Sequence, residues 1–152
     1  MTKPLNLRQK ALDLISRAEY SSLELKQKLS RYSDDEQQIE QIVTQFIEQN
    51  LLNDARYIEN FAYFKGRKYG QQKIRYLLQQ KIADANLIQE HYQPDSQQEF
   101  DTAKQLWLRK FHGQLATTPQ EKNKQIRFLL SRGFSWETVL KVIVADATNS
   151  ID

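Results

Sequence analysis

The segment Ile74-Arg75-Tyr76-Leu77-Leu78 predicts the fold, because related segments occur on both sides of it in the chain. Leu25-Lys26-Gln27-Lys28-Leu29 begins 49 residues earlier, and Ile126-Arg127-Phe128-Leu129-Leu130 begins 52 residues later. Each segment has an apolar residue, a basic residue directly after it, and leucine four positions after the first residue. Apolar residues four apart share one face of a helix, and a repeat of about 50 residues is typical of stacked helical architectures. The sequence therefore predicts three related helical repeats.

Helical spacing of apolar residues extends over the whole chain, and no segment alternates with the period of two that a half-buried strand requires. Ser21-Ser22-Leu23-Glu24 is a capping-box pattern, the acidic run Asp34-Asp35-Glu36 favours a helix start, and Thr118-Pro119 combines an N-cap with proline at the first helical position. Four Gly and three Pro are too few for the many tight turns of a sandwich or barrel. The predicted fold class is all-α, with about nine helices in three tandem three-helix repeats.

Capping residues and a linker divide the chain. Leu51-Leu52-Asn53-Asp54 is a junction with capping residues, and Gln93-Pro94-Asp95-Ser96 is the best linker candidate. We therefore expect a flexible tail at 1–6, repeat 1 at 7–50, a basic repeat 2 at 51–93, repeat 3 at 94–147 and a frayed tail at 148–152.

Apolar spacing also predicts which side chains face the core. They include Ile39, Ile42, Val43, Phe46 and Ile47 of the third helix, Phe61 and Phe64 of the fourth, Ile126, Leu129 and Leu130 of the eighth, and Trp136 of the ninth. Gly70, after the fourth helix, suits a left-handed helix end.

The basic side chains concentrate in one stretch, from Ala62 to Ile82, which contains no carboxylate. The whole chain has 22 Lys and Arg against 19 Asp and Glu, so without the six cations of this stretch it would be net acidic. The basic character is therefore local, which indicates one binding patch. The six cations are Lys65, Arg67, Lys68, Lys73, Arg75 and Lys81.

The fifth helix begins within this stretch, after Tyr69-Gly70, and its unpaired N-terminal amides add to the predicted anion site. A phosphate or a protein carboxylate fits that site, and the residues alone do not choose between nucleic acid and an acidic protein groove. A solvated helical face with ordinary lysines is the plainer interpretation. Tyr69 and Tyr76 either stack on bases or lie half-buried at helix contacts.

The composition offers little support for catalysis. The absence of cysteine excludes disulfides, thiolate metal sites and a cysteine nucleophile, and it fits a reducing cytoplasm. His91 and His112 lie near predicted helix ends, where a cation interacts favourably with the helix dipole. We expect no catalytic residue, metal site or cofactor. No apolar run is long enough for a membrane helix, and no signal peptide is visible.

Four segments between about Ala11 and Ile143 carry a family pattern in order. They are Tyr20-Ser21-Ser22-x-Glu24-Leu25-x-x-Lys28-Leu29, Leu52-Asn53-Asp54-Ala55-Arg56-Tyr57, Lys68-Tyr69-Gly70-x-x-Lys73-Ile74-Arg75-x-x-Leu78 and Ile126-Arg127-Phe128-Leu129-Leu130-x-Arg132-Gly133-Phe134. Together they resemble RecX, the bacterial regulator of the RecA recombinase. One departure concerns the second repeat: the family usually has Lys-Gly-Ile after the second helix of that repeat, whereas here Ile82 directly follows Lys81. Without the glycine, the turn between helices five and six must be tighter or differently capped.

The resemblance implies three tandem three-helix units in an elongated, curved array that is not an enzyme. It implies binding in the groove of the RecA–DNA filament and inhibition of filament extension, strand exchange, ATP hydrolysis and the coprotease activity that triggers the SOS response. A cytoplasmic monomer is expected, and weak binding to single- or double-stranded DNA stays open. The hypothetical contact surface consists of the six cations, extended by Lys26 and Arg127.

Two other functions stay open at this point. Three-helix units can bind DNA directly, in the manner of helix-turn-helix proteins, and the fifth helix begins with Gln71-Gln72-Lys73, which could read bases. A scaffold repeat whose basic patch serves another acidic partner is the third possibility.

Overall fold

The structure, a computed structural model, describes the backbone of residues 6–149 and the side chains of residues 6–144. Within that range the chain forms nine α-helices and no strand, which confirms the predicted all-α class. The helices are α1 (Leu7–Arg17), α2 (Ser22–Leu29), α3 (Glu36–Glu48), α4 (Asp54–Lys65), α5 (Gln71–Lys81), α6 (Ala85–His91), α7 (Ser96–Phe111), α8 (Pro119–Ser131) and α9 (Trp136–Asn149).

Polar side chains begin several helices where the sequence has capping residues. The Ser21 hydroxyl accepts from the Glu24 amide, and the Glu24 carboxylate accepts from the Ser21 amide, both at 3.1 Å, which completes the predicted capping box. Asp35 caps α3, and Thr118 caps α8 with Pro119 as its first residue. Each cap satisfies an amide that has no partner inside its own helix.

The described chain divides into two compact units. The first comprises residues 6–59 and 78–91, and the second comprises residues 60–77 and 92–149. Helices α1, α2 and α3 pack on one another in the first unit, as α7, α8 and α9 do in the second. The repeat boundaries predicted at residues 50/51 and 93/94 are a different division of the chain and stay a prediction.

The core of the first compact unit lies between α1, α2 and α3. Leu25, Leu29 and Phe46 are fully buried in it. Burying each of these side chains contributes roughly 1.5–3 kcal/mol. Ile39, Ile42 and Val43 are buried as predicted, but the prediction for Ile47 is wrong, because this side chain is half exposed. At about 100° per residue, Ile47 lies about 40° beyond Val43, outside the arc that the buried residues of α3 share.

The core of the second compact unit surrounds Trp107, and on α8 it includes a glutamine that apolar spacing did not predict. Leu129 is buried as predicted and Ile126 is partly buried against the core, but the prediction for Leu130 is wrong, because this side chain is exposed. Gln125 is buried, its Oε1 accepts from Trp107 Nε1 at 3.0 Å, and its Nε2 donates to the Gln114 carbonyl at 3.0 Å. An apolar pattern cannot find an inward glutamine, which shifts the buried face of α8 toward Gln125 and away from Leu130.

Trp136 also contradicts the prediction of a core position, because its side chain is exposed. It is the first residue of α9, and the buried face of that helix begins only at Thr138 and continues at Val139 and Val142.

Two glycines of the second compact unit bring backbones into contact. The Gly70 amide donates to the Arg132 carbonyl at 2.8 Å, and the Gln72 amide donates to the Gly133 carbonyl at 3.1 Å. A Cβ on Gly70 would lie 2.6 Å from the Gly133 carbonyl carbon. The prediction of a left-handed Gly70 is wrong, because the described residues with positive φ include Gly133 but not Gly70. Gly70 is needed for close approach, which only a residue without a Cβ permits.

The turn between α5 and α6 forms without the family's glycine. The Ile82 amide donates to the Leu78 carbonyl at 2.8 Å, and the Ile82 side chain is buried. The Asp84 carboxylate then accepts from the Asn86 amide at 3.0 Å and caps α6. No residue from 81 to 84 has positive φ, so the turn is differently capped, as the sequence indicated.

The predicted tails fall largely outside the described residues. Asn6, at the end of the predicted N-terminal tail, caps α1 by accepting from the Gln9 amide at 3.1 Å, and residues 1–5 are not described. Helix α9 continues to Asn149, two residues past the predicted end, and residues 150–152 are not described.

Candidate functional site

Five cations of the second compact unit form no ion pair with any carboxylate in the part of the chain that the structure describes. They are Lys65 at the end of α4, Arg67 and Lys68 in the following turn, and Lys73 and Arg75 in the first turns of α5. Arg67, Lys68 and Arg75 are exposed, and the other two are half-buried. These five residues are called the cationic surface below. Uncompensated charge of one sign favours a partner of the opposite sign.

Aromatic rings lie beside four of these cations, Lys65, Arg67, Lys73 and Arg75, and the contacts of Arg67 and Lys73 are the shortest. The Arg67 guanidinium lies 5.0 Å from the centre of the Tyr63 ring, and its Nη2 donates to the Tyr63 hydroxyl at 3.0 Å. The Lys73 ammonium lies 4.3 Å from the centre of the Tyr69 ring. Cation–π contacts of this kind restrict long side chains before a partner arrives, which lowers the entropy lost on binding.

Behind α5 lies a buried polar group that fixes the helix. Glu99 is buried, its Oε2 accepts from Gln71 Nε2 at 2.6 Å, and its Oε1 has no hydrogen-bond partner among the described residues. Burial raises the pKa of Tyr92 to about 12; the charge of Arg75 acts in the opposite direction, and the charge of Glu99 adds to the increase. Tyr92 is therefore a neutral phenol, and Arg75, 5.7 Å from the centre of its ring, remains exposed.

The N-terminus of α5 offers fewer free amides than the sequence predicted. The amides of Gly70 and Gln72 are already bonded to the carbonyls of Arg132 and Gly133. A phosphate at these two amides would have to displace backbone partners, so the prediction of unpaired amides is wrong for Gly70 and Gln72. The charge of the cationic surface resides in its side chains.

Two other predicted site residues belong to the first compact unit, and both are paired. Lys26 Nζ lies 2.9 Å from a carboxylate oxygen of Glu40, and Lys81 Nζ lies 3.1 Å from Glu24 Oε2. Lys81 lies in a stretch without acids but has a partner 57 residues away in sequence. These two lysines differ from the cationic surface because their charge is compensated.

The Glu24 carboxylate accepts hydrogen bonds from several groups. Burial alone would raise its pKa, but hydrogen bonds from the Ser21 amide, Tyr57 and Lys81, together with the charge of Lys81, hold the pKa below its usual value. Burial and the neighbouring Glu24 carboxylate raise the pKa of Tyr57. Lys81 is therefore part of a structural network of the first unit.

Arg127, the remaining predicted site residue, is an exposed residue of α8. The repeat comparison placed it directly after an inward residue, like Lys26 after Leu25 and Arg75 after Ile74. In the structure Ile126, the residue before it, is partly buried against the core of the second unit, and Gln125 is buried.

The sequence pattern did not predict that Tyr63 and Phe64, next to the cations, face solvent; they are 62% and 61% exposed. Of the two tyrosines predicted either to stack on bases or to lie half-buried, Tyr76 is 60% exposed and Tyr69 is half-buried. Phe64 was predicted in the core, but the buried side chains of α4 are Tyr57 and Ile58, and the last turn of the helix passes beyond them. The signal that could have found it is the mixture of aromatic and basic residues just before Gly66.

The described part of the chain contains no group of side chains that could hold a metal ion. No three side chains from His, Asp and Glu there are arranged to hold a metal ion. His91 Nδ1 lies 3.1 Å from Glu59 Oε1, and His112 is the left-handed residue at the end of α7. None of the described helices is both long enough and apolar enough to span a bilayer.

Comparison with known proteins gives a consistent result. A family model described as RecX, third three-helix domain, matches residues 97–143. The regulatory protein RecX of Neisseria meningitidis serogroup C is 35% identical over 134 residues, which cover 88% of this chain and 86% of that protein. The regulatory protein RecX of Ectopseudomonas mendocina is 31% identical over 144 residues, which cover 94% and 96%. The crystal structure of RecX from Lactobacillus salivarius has the same fold, with a TM-score of 0.78 at 21% identity over 93% of this chain and 95% of that one.

Proposed function

Because this chain belongs to the RecX family of regulatory proteins, we propose that it binds the RecA–DNA filament and inhibits RecA. The inhibited RecA activities are filament extension, strand exchange, ATP hydrolysis and coprotease activity. The protein thereby modulates recombinational DNA repair and the SOS response. It acts by binding, as a monomer in the cytoplasm, and not as an enzyme.

The observation that carries this proposal is the cationic surface. Its five cations have no carboxylate partner among the described residues, although acids outnumber bases in the rest of the chain. A nucleoprotein filament offers DNA phosphates and acidic side chains along one groove. Charge complementarity of this kind speeds association and selects the partner.

The three remaining residues of the predicted contact surface have a weaker basis. Lys26 and Lys81 are in ion pairs, so a partner would have to compete with Glu40 and Glu24 for them. Arg127 is exposed on α8, outside the stretch that contains the five cations. These residues stay predicted contacts, and the proposal does not depend on them.

Inhibition requires a difference in affinity between two states of the filament. A ligand shifts an equilibrium only by the amount by which it prefers one state. Binding across a boundary between RecA protomers meets this requirement, because the spacing across such a boundary changes when the filament extends or disassembles. The cationic surface would then favour the state whose anions match its own spacing.

A helix-turn-helix mode of direct DNA binding is less compatible with the structure. A recognition helix presents the side chains of its N-terminal turns to base edges. In α5 that end packs against the turn between α8 and α9, and the Gln71 side chain is bonded to the buried Glu99.

The test is RecA ATP hydrolysis on single-stranded DNA with substoichiometric amounts of this protein. We expect the wild-type protein to inhibit, and reversal of four cations to Glu to abolish inhibition; the four are Arg67, Lys68, Lys73 and Arg75. A matched variant reverses four exposed cations elsewhere, which are Arg31, Arg109, Lys122 and Lys124, and changes the net charge by the same amount. It should inhibit like the wild-type protein.

Two results would refute the proposal. If the first variant inhibits normally, the cationic surface is not the contact surface. If the wild-type protein does not inhibit RecA but binds naked DNA tightly and sequence-selectively, direct DNA binding is the function. Weak binding to naked DNA with a steep dependence on salt is the expected behaviour of a filament binder.

A further inference from the structure

Tyr63 and Phe64 form an exposed aromatic pair at the end of α4. Their ring centres are 5.3 Å apart and their planes meet at 81°. More than three fifths of each side chain is exposed, whereas Tyr57 and Ile58 of the same helix are buried. Two adjacent exposed rings keep apolar surface in contact with water, although burial of that surface would be favourable. Their position therefore indicates a partner that covers them.

Arg67 connects this pair to the cationic surface. Its guanidinium lies over the Tyr63 ring and donates to the Tyr63 hydroxyl through Nη2. Arginine has five N–H donors in a planar fork, so this one bond leaves donors for a second acceptor. The ring fixes the guanidinium in one position, which suits a phosphate better than a freely moving cation would.

The aromatic rings beside the cations distinguish between two classes of anionic partner, protein carboxylates and nucleic acid. Charge alone does not distinguish them. A groove of protein carboxylates would satisfy the cations but leave the rings without a matching surface. A single strand of nucleic acid offers both phosphates and flat apolar bases, and bases stack on exposed aromatic side chains irrespective of sequence. In a duplex the base faces are covered by their neighbours, so the strand must be unpaired.

We propose that Tyr63 and Phe64 bind single-stranded DNA by stacking on its bases, while Arg67 holds a backbone phosphate. Tyr76, exposed beside Arg75 in sequence on α5, provides a further ring in the same compact unit. The inference rests on the proposed function, since it assigns the chemistry of the surface that meets the filament.

The test compares two fluorescent oligonucleotides of equal length, one an ordinary single strand and one with the same backbone but no bases. Fluorescence anisotropy should show that the wild-type protein binds the ordinary strand about 10-fold or more tightly than the abasic strand. Replacing both Tyr63 and Phe64 by Ala should weaken binding to the ordinary strand by about 10-fold and leave binding to the abasic strand unchanged.

Trp136→Ala is the matched control. This residue is also an exposed aromatic of the second unit, but none of the described cations lies over its ring. Its removal should not change binding to either oligonucleotide. If the double Ala variant does not fold, judged by circular dichroism, Phe64→Leu keeps the apolar volume and removes only the aromatic face.

Equal affinity of the wild-type protein for the two oligonucleotides would overturn the inference. So would a double variant that discriminates between them as the wild-type protein does. RecA inhibition measured in parallel separates the two proposals. If the double Ala variant loses RecA inhibition but binds DNA like the wild-type protein, the rings contact RecA itself. That result refutes stacking and leaves the proposed function intact.

Discussion

The backbones of Gly70 and Gly133 lie in direct contact, so that the start of α5 rests on the turn between α8 and α9. A Cβ on Gly133 would lie 2.7 Å from the Lys73 amide nitrogen, and Gly133 has a φ of +89°. The contact therefore depends on glycine twice, for space and for conformation. Because Lys73 belongs to the cationic surface, this contact also positions part of the candidate site.

Gly133→Ala should destabilise the protein by about 2–5 kcal/mol, because left-handed strain adds to a collision with α5. Gly113 is the matched control. It has a similar φ of +72°, but its Cβ would meet only the Leu108 side chain at 3.7 Å. Gly113→Ala should therefore cost only about 1–2 kcal/mol. Urea denaturation measures both, and equal losses would show that the Gly70–Gly133 contact is not tight.

The Glu24→Gln variant should lose less stability between neutral and acidic pH than the wild-type protein does. The pKa of Glu24 in the folded state is held below its ordinary value, so the carboxylate contributes stability that is fully present above that ordinary value. The contribution is lost as the pH falls through the folded-state pKa. We expect the variant to be less stable than the wild-type protein near about pH 7 and to approach it near about pH 3.

The measurement is the midpoint of urea denaturation at the two pH values. Glu137→Gln serves as the comparison, since Glu137 forms an exposed ion pair with Lys141. It should change neither value appreciably. A constant difference between Glu24→Gln and the wild-type protein at both pH values would contradict the prediction.

Substitutions of Lys81 and Arg67 should affect different properties, stability for Lys81 and RecA inhibition for Arg67. Lys81→Met removes the partner of the partly buried Glu24 carboxylate and should cost about 1–2 kcal/mol of stability. Arg67→Met alters an exposed residue and should change stability by less than about 0.5 kcal/mol, yet weaken RecA inhibition. Thermal denaturation and the ATPase assay together test this, and the reverse pattern would place Lys81 in the contact surface instead.

Gln125→Leu should destabilise the second compact unit by about 1–3 kcal/mol, because it leaves the Trp107 indole N–H and the Gln114 carbonyl without their partner. Combining it with Trp107→Phe tests the hydrogen bond itself. The loss in the double variant should be smaller than the sum of the single losses. Additive losses in denaturant titrations would show that the two side chains are not coupled.

Local chemistry made much of the architecture predictable. The capping box at Ser21 and Glu24, the acidic start of α3 and Pro119 at the start of α8 depend on residues within a few positions of one another, and all occur as predicted. Helical periodicity alone was sufficient for the all-α class. It was wrong at Ile47 and Leu130, which are exposed, and it could not find Gln125, a polar residue that packing buries.

The candidate site was predictable as composition but not as geometry. Six cations in a stretch without acids are visible in the sequence, but their pairing is not. Lys81 forms an ion pair with Glu24, which is 57 residues away in sequence. Arg67 and Lys68 form no ion pair with a carboxylate among the described residues. Ion pairing depends on which side chains the fold brings within a few ångströms, and sequence distance carries no information about that.

The sequence by itself determined the helices, their caps and the location of the positive charge, because these follow from interactions within one or two helical turns. The tertiary structure alone decided which cations are neutralised, that the amides of Gly70 and Gln72 are occupied, and that Tyr63 and Phe64 face solvent. Each of these depends on groups far apart in the chain, and only packing determines whether such groups meet.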